Sequence, residues 1–190
     1  MPRSLTLPLG EHEARALRAG DEVLLKGRLL TGLEAAHRHL LRHDEPEIRR
    51  LARGSVLYHC APVPGRGPRG RWRVLAAGPT PSMRLEAWGA DLLPRLGLRG
   101  VMGRGGMGPR TLSALRRHGA VYLHAGSDLA VALGRCVTSA SVHLLDVLGP
   151  AEAIWCLEVE DFPAVVSMDA HGESLHAPAE AEHAEDGAAI

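Results

Sequence analysis

The chain has 190 residues, of which 45% are hydrophobic and 23% charged, a composition typical of a globular domain and not of a disordered or collagenous chain. Its 22 basic and 22 acidic side chains cancel, so it lacks the basic field with which proteins hold nucleic acids or anionic membranes. Aromatic residues make up only 3%, which disfavours base-stacking surfaces. We therefore expect one globular domain that binds neither nucleic acid nor a membrane.

The cysteines indicate a reduced, intracellular environment. Cys60, Cys136 and Cys156 are odd in number and too far apart for the C-x-x-C spacing of a zinc or redox site. The N-terminus lacks a charged region followed by an apolar one, and no apolar run reaches the ~18 residues of a membrane span. We expect a cytoplasmic protein with free thiols and no metal bound by this chain.

The first third of the sequence predicts a β-rich lobe followed by a helix. Residues 4–9 alternate apolar and polar side chains, as in a strand. Two apolar runs, at residues 23–25 and 29–30, predict strands on either side of a turn. The apolar period then becomes helical, with Thr31 as the expected N-cap and Glu34 as its capping-box partner.

From residue 55 onward, predicted strands alternate with predicted helices. The strands are residues 55–60, 72–77, 100–102, 120–124, 153–160 and 164–168, and the helices are residues 85–96, 109–118 and 127–134. Residues 62–68 are too rich in Pro and Gly for regular structure. The alternation predicts an α/β fold, a mainly parallel sheet layered with helices, over residues 1–176. Residues 177–190 predict a disordered, acidic and Ala-rich tail.

Two strand-to-helix turns carry side chains with which proteins bind anions. The first turn offers backbone N–H groups with Thr80, Ser82 and Arg84, and the second, residues 103–108, holds Arg104 among glycines. A guanidinium pairs bidentately with a carboxylate or phosphate, so both turns are candidate clamps. The same Gly and Pro residues also suit ordinary βα turns. Neither turn matches a Walker or G-x-G-x-x-G nucleotide motif.

Several short motifs follow one another in a specific order. They are Gly20-Asp21-x-Val23, Thr31-x-x-x-Ala35-Ala36-His37, Gly78-Pro79-Thr80-x-Ser82-x-Arg84, Gly103-x-Gly105, Ala120-Val121-Tyr122, Glu152-Ala153-Ile154-Trp155 and Val159-Glu160-Asp161-Phe162-Pro163. In this order and spacing, over residues 20–175, the chain resembles the β subunit, or C-terminal domain, of the iron–sulfur-dependent hydro-lyases, the class I fumarases and L(+)-tartrate dehydratases.

The resemblance implies a swivelling β/β/α domain that closes over an active site shared with an α subunit. In the family the α subunit supplies three cysteines to a [4Fe–4S] cluster whose open iron coordinates the substrate hydroxyl and carboxylate. This chain would bind no cluster itself and would be active only with that partner. Its substrate would be a small carboxylic acid like fumarate, malate or tartrate, and αβ units could pair as dimers.

Carried over residue by residue, the resemblance also implies a site. Thr80 and Arg104 would be catalytic, with Arg104 stabilising the negative charge that develops as the α-proton leaves. The base that takes this proton would belong to the partner. The residues around the substrate would be Arg84, which pairs with a carboxylate, together with Thr80, Ser82, Leu33, His37, Gly103 and Gly105.

Three positions depart from the family pattern. Leu33 stands where the family has a carboxylate-binding arginine, Pro81 replaces a threonine, and Arg104 replaces a lysine. An arginine cannot deprotonate near neutral pH, so it cannot replace a proton-shuttling lysine.

These departures leave three hypotheses open. The chain is a hydro-lyase subunit retuned for a substrate that lacks one free carboxylate near Leu33. Alternatively, it still acts on fumarate, malate or tartrate and another arginine compensates. In the third hypothesis it is a catalytically degenerate paralogue that serves as an interaction or structural subunit.

Overall fold

The structure, a computed structural model, describes residues 1–176, and the predicted tail lies outside these residues. The strands are β1 (Arg3–Thr6), β2 (Glu22–Thr31), β3 (Val56–Tyr58), β4 (Val63–Arg66), β5 (Trp72–Ala76), β6 (Gly100–Gly103), β7 (Val121–His124), β8 (Val137–His143) and β9 (Ile154–Met168). The helices are α1 (Glu11–Arg15), α2 (Glu34–Arg42), α3 (Pro46–Ala52), α4 (Glu86–Leu96), α5 (Pro109–His118), α6 (Ala130–Arg135) and α7 (Leu145–Leu148). Within this part of the chain, no helix is long and apolar enough to cross a membrane.

Seven strands form one mixed sheet in the order β1-β2-β3-β6-β7-β9-β8. The first five strands run parallel to one another, as predicted, whereas β9 runs antiparallel to β7 and β8. Strand β9 also pairs antiparallel with β2, so β2, β3, β6, β7 and β9 form a closed ring of strands. Strands β1 and β2, which were expected to form a β-rich lobe, belong to this sheet, and the α/β class is confirmed.

The alternation of side chains along the parallel strands divides the core into two clusters. Leu57, Val101 and Tyr122 face helices α2, α4 and α5, where they pack with Leu40, Leu92, Leu93 and Leu115. The residues that follow them, Tyr58, Met102 and Leu123, face the opposite side of the sheet and pack with Leu25, Leu29, Trp155 and Phe162. Helices α4 and α5 therefore lie where their predicted apolar faces require.

The predicted breaks in β2 and β9 are wrong. Strand β2 continues through the expected turn at residues 26–28 with a shift in register, and Gly27 adopts a φ of 112° there. Strand β9 continues from Ile154 to Met168 through Asp161, whose φ is 51°. In both strands the turn-like residues lie at one irregularity in the ladder between β2 and β9, and pairing on either side of it keeps each strand continuous, so tertiary contacts override local preference.

Two further local predictions are wrong. Residues 62–68 contain β4, which pairs antiparallel with β5 as a separate two-stranded sheet. Helix α2 begins at Glu34 with Leu33 as its N-cap. Thr31 ends β2 instead, and its Oγ1 accepts a hydrogen bond of 3.0 Å from the backbone N–H of Trp155. Strand β8 was not predicted at all.

Substituting Gly27 by alanine should destabilise the fold more than substituting Gly20. Gly27 and Gly20 both have a positive φ, 112° and 102°, so an alanine would strain the backbone at either position. At Gly27, however, a Cβ would lie 2.6 Å from the carbonyl oxygen of Leu7, whereas at Gly20 it would meet no atom within 4 Å. We expect Gly27→Ala to lower the free energy of unfolding by about 2 kcal/mol more than Gly20→Ala, measured by urea denaturation. Equal losses would contradict the close approach of β2 to Leu7.

Candidate functional site

The two predicted turns meet at the carboxyl ends of the parallel strands β3 and β6, the edge at which both open and closed parallel α/β sheets bind ligands. The backbone N–H and the hydroxyl of Thr80 both donate to the carbonyl oxygen of His59, at 2.8 and 2.7 Å. The N–H of Arg104 donates to the carbonyl of Thr80 at 3.2 Å, and the N–H of Ser82 donates to the carbonyl of Arg104 at 2.9 Å. The segment around Pro81 therefore extends the sheet as a short parallel bridge beside Arg104.

A cavity of about 90 Å³ opens beside this bridge. It is lined by Leu33, Glu34, Thr80, Pro81, Arg84, Leu85 and Glu152. Three predicted site residues, Leu33, Thr80 and Arg84, therefore lie around one space. The guanidinium of Arg84 is exposed and forms no hydrogen bond or ion pair with residues 1–176, which leaves it available to a ligand.

Two carboxylates also line the cavity, and both have partners of their own. Glu34 pairs with Arg38 at 3.4 Å, one helical turn further along α2. Glu152 accepts a hydrogen bond of 2.9 Å from the backbone N–H of Ala35 in the first turn of α2, where a helix favours a negative charge. Neither carboxylate is bonded to Arg84.

The second turn places Arg104 at the surface next to the bridge, with its side chain unpaired within the described chain. Gly105 has a φ of 81°, and a Cβ there would meet nothing within 4 Å. A ligand can therefore approach the backbone beside Arg104. Gly103 is buried instead, and a Cβ on it would overlap the hydroxyl of Ser82.

The side chains of Ser82 and His37 lie behind the cavity wall. Ser82 is fully buried, and its hydroxyl lies 2.8 Å from both the Tyr122 hydroxyl and Nδ1 of His59. His37 is also buried, and its Nδ1 donates to the carbonyl of Leu33 at 2.7 Å. Neither residue lines the cavity.

Sequence reasoning missed His59 and the hydroxyl of Tyr122. The available signal was position, because His59 directly follows β3 at the carboxyl edge of the sheet. Burial lowers the pKa of His37 to about 4 and that of His59 well below its usual range, while burial raises the pKa of Tyr122 to about 12. All three side chains are therefore neutral at neutral pH.

The described residues do not fit an iron–sulfur cluster. Cys60, Cys136 and Cys156 are all free thiols and do not converge. Burial raises the pKa of Cys60 to about 12 and also raises that of the other two, whereas iron is bound by thiolates. Within residues 1–176, no group of three or more His, Cys, Asp or Glu side chains could hold a metal ion.

The fold and the paired turns are typical of an α/β protein that binds an anion at the carboxyl edge of its sheet. Residues 4–179 match the Fumarase C-terminus family, and the chain belongs to that family. The resemblance stated from its motifs is confirmed.

Individual relatives cover the chain almost completely. It is 44% identical over 174 residues to a putative class I fumarate hydratase of Geobacillus stearothermophilus, covering 91% of this chain and 33% of that protein. It is 32% identical over 177 residues to the L(+)-tartrate dehydratase subunit beta of Escherichia coli K12, covering 92% and 87%. A putative L(+)-tartrate dehydratase subunit beta of Methanocaldococcus jannaschii is 30% identical over 172 residues, 88% of each chain. The chain thus spans about a third of the fumarate hydratase relative and most of each β subunit.

The buried imidazole of His37 should make stability depend on pH. Its folded pKa of about 4 lies below its ordinary value of 6.5, so the unfolded chain takes up the proton first. Its contribution is complete above about pH 6.5 and is lost as the pH falls toward 4. Between about pH 7.5 and about pH 5 we expect a loss of about 2 kcal/mol from this residue. Urea denaturation of wild type and His37→Asn should show a shallower pH dependence in the variant, and identical slopes would contradict the assignment.

Proposed function

We propose that this chain is the substrate-clamping β subunit of an iron–sulfur-dependent hydro-lyase, which adds or eliminates water at a carbon–carbon double bond next to a carboxylate. One observation carries the proposal: the guanidinium of Arg84, which has no partner among residues 1–176, and the hydroxyl of Thr80 flank one open cavity, and a backbone hydrogen bond joins Thr80 to Arg104. The names of the relatives, a fumarate hydratase and tartrate dehydratase β subunits, support the reaction class.

The cluster would be carried by an α partner. Relatives of nearly this length are named as β subunits, which supports a partner chain, and the cysteines described above do not suit a cluster. We propose that the partner supplies the [4Fe–4S] cluster and the proton-abstracting base, that this domain swivels to close the shared site, and that αβ units pair as dimers. This chain alone would then be inactive.

The proposed roles follow from charge and hydrogen-bonding capacity. Arg84 would pair with the substrate carboxylate and orient the double bond. The hydroxyl of Thr80 already donates to His59, so its oxygen retains lone pairs that can accept a hydrogen bond from the substrate. The guanidinium of Arg104 would stabilise the negative charge that develops when the α-proton leaves, without moving that proton itself.

Leu33 favours a substrate with one free carboxylate. Its side chain lines the cavity where the family resemblance places a second carboxylate-binding arginine, and the other charged groups in the lining, apart from Arg84, are the carboxylates of Glu34 and Glu152. An unpaired substrate carboxylate there would cost a few kcal/mol. We propose that an uncharged or apolar substrate group contacts Leu33. Compensation by another arginine and a degenerate structural subunit are the alternatives.

The test of the clamp uses the complex with the α partner, co-expressed and purified without oxygen. Arg84→Ala removes the proposed carboxylate partner, so it should cost about 3 kcal/mol of transition-state stabilisation, roughly a hundredfold in kcat/KM. The substrates to assay are fumarate, malate, tartrate and their monoamides and monoesters.

Arg42→Ala is the matched control, because Arg42 is an exposed arginine at the end of α2 and outside the cavity. It should leave kcat/KM unchanged. A wild-type complex that hydrates or dehydrates a substrate while Arg84→Ala loses nothing would refute the clamp. A complex that assembles but turns over none of these substrates would favour the degenerate subunit.

Leu33→Arg tests the substrate preference. If an uncharged group contacts Leu33, the new guanidinium should reduce turnover of the native substrate and raise turnover of the dicarboxylates fumarate and malate, in each case by roughly tenfold or more. Leu33→Met, which keeps an apolar side chain of similar size, should leave the preference unchanged. Efficient hydration of fumarate by wild type, with no change in Leu33→Arg, would support the compensating-arginine hypothesis instead.

A further inference from the structure

We infer that His59, Ser82 and Tyr122 form a buried hydrogen-bonded unit that positions Thr80, Arg84 and Arg104 for their ligand. We call this unit the polar row. Its role in catalysis rests on the proposed function, whereas its effect on the geometry of the two turns can be measured on the chain alone. The residues of the polar row are positioning residues, because all three are buried behind the cavity wall.

The polar row exists because of a glycine at one position in the sheet. Leu57 and Val101 face the helices, so two residues later His59 and Gly103 face the same side. A side chain on Gly103 would overlap the hydroxyl of Ser82 and would come within 3.3 Å of Cβ of His59. Because Gly103 has no side chain, the hydroxyl of Ser82 can lie over β6, between His59 at the end of β3 and Tyr122 on β7.

The hydrogen bonds of the polar row run in one direction. The Tyr122 hydroxyl donates to Oγ of Ser82 at 2.8 Å, which leaves the Ser82 proton for Nδ1 of His59, also at 2.8 Å. With this direction of hydrogen bonding the His59 proton lies on Nε2, which has no hydrogen-bond partner among residues 1–176. Because water is excluded, losing one member leaves buried partners unsatisfied.

His59 holds the first turn at two points. Its carbonyl oxygen accepts both hydrogen bonds from Thr80, while its imidazole holds the side chain of Ser82. The N–H of Ser82 in turn fixes the carbonyl of Arg104. Arg84 lies in the single 3-10 turn that begins at Ser82, so the direction of its side chain depends on how Ser82 is held.

A substitution in the polar row can lower activity by destabilising the whole fold or by displacing the two turns. Ser55→Ala is the control that separates these effects. Ser55 is also buried, and its hydroxyl donates to the carbonyl of Arg28. It directly precedes β3, whereas His59 directly follows that strand, so Ser55 lies at the opposite edge of the sheet from the cavity. Ser55→Ala therefore removes a buried hydroxyl next to the same strand without touching either turn.

The first measurement uses the isolated chain and NMR-detected amide exchange. Ser82→Ala should speed exchange of the Ser82 and Arg104 amides by about tenfold relative to wild type, whereas Ser55→Ala should not change their exchange relative to the rest of the sheet. Tyr122→Phe keeps the aromatic ring in the core and should have the same local effect, which covers the case that Ser82→Ala fails to fold. Nitrogen-detected spectra of wild type should show His59 protonated at Nε2.

The second measurement is kcat/KM in the complex with the α partner. Ser82→Ala should lower it by about tenfold and Ser55→Ala by less than about twofold, even at equal loss of stability. His59→Asn, which keeps a polar group near the position of Nδ1, should retain more activity than His59→Leu. Equal local exchange in Ser82→Ala and Ser55→Ala, or a His59 protonated at Nδ1 only, would overturn the polar row. An inactive wild-type complex with the expected exchange would overturn the proposed function and leave the positioning of the turns intact.

Discussion

The pairing of β2 with β9 is the constraint on which the site depends. The two strands pair from Glu22 with Val165 to Leu30 with Cys156, and this pairing closes the ring of strands. Two further hydrogen bonds extend this contact beyond the paired residues of β2 and β9. The N–H of Trp155 reaches the hydroxyl of Thr31, and the carboxylate of Glu152, just before β9, reaches the first turn of α2. The junction that closes the sheet therefore also fixes the wall of the cavity on which Leu33 and Glu152 lie.

The sequence predicts those elements whose stability is local. Helices α4 and α5 follow from apolar periodicity and, for α5, from Pro109 at its start, and both lie within about a residue of their expected bounds. The predictions fail where distant pairing decides. Gly27 and Asp161 both suggest turns, yet each lies inside a strand with a positive φ, because β2 and β9 pair on both sides of the irregularity at these positions. The residues next to Gly27 and Asp161 in the sequence therefore do not reveal that these positions lie inside strands.

The same distinction applies to the site. Thr80, Arg84 and Arg104 were predicted from turn chemistry and family motifs, and the structure joins the two turns by backbone hydrogen bonds. His59 was missed because the groups that give it a role are distant in sequence, Ser82 being 23 positions away. The hydroxyl of Ser82 suggests a ligand contact in the sequence, because it lies in a turn whose side chains suit an anion. Its burial depends on the missing side chain of Gly103, a consequence of sheet register that spacing alone does not show.

The local charges explain why Arg84, beside two carboxylates, has no partner among residues 1–176. A free carboxylate next to Arg84 would pair with it and compete with any anionic ligand. Glu34 is instead held by Arg38, and Glu152 is held by the N–H of Ala35. The hydrogen bond of Glu152 thus satisfies an otherwise orphaned donor of α2, and it also keeps a negative charge from Arg84. Because α2 follows directly from β2, the strand pairing that closes the sheet also places the first turn of α2 where it holds Glu152, which leaves the guanidinium of Arg84 open to a ligand.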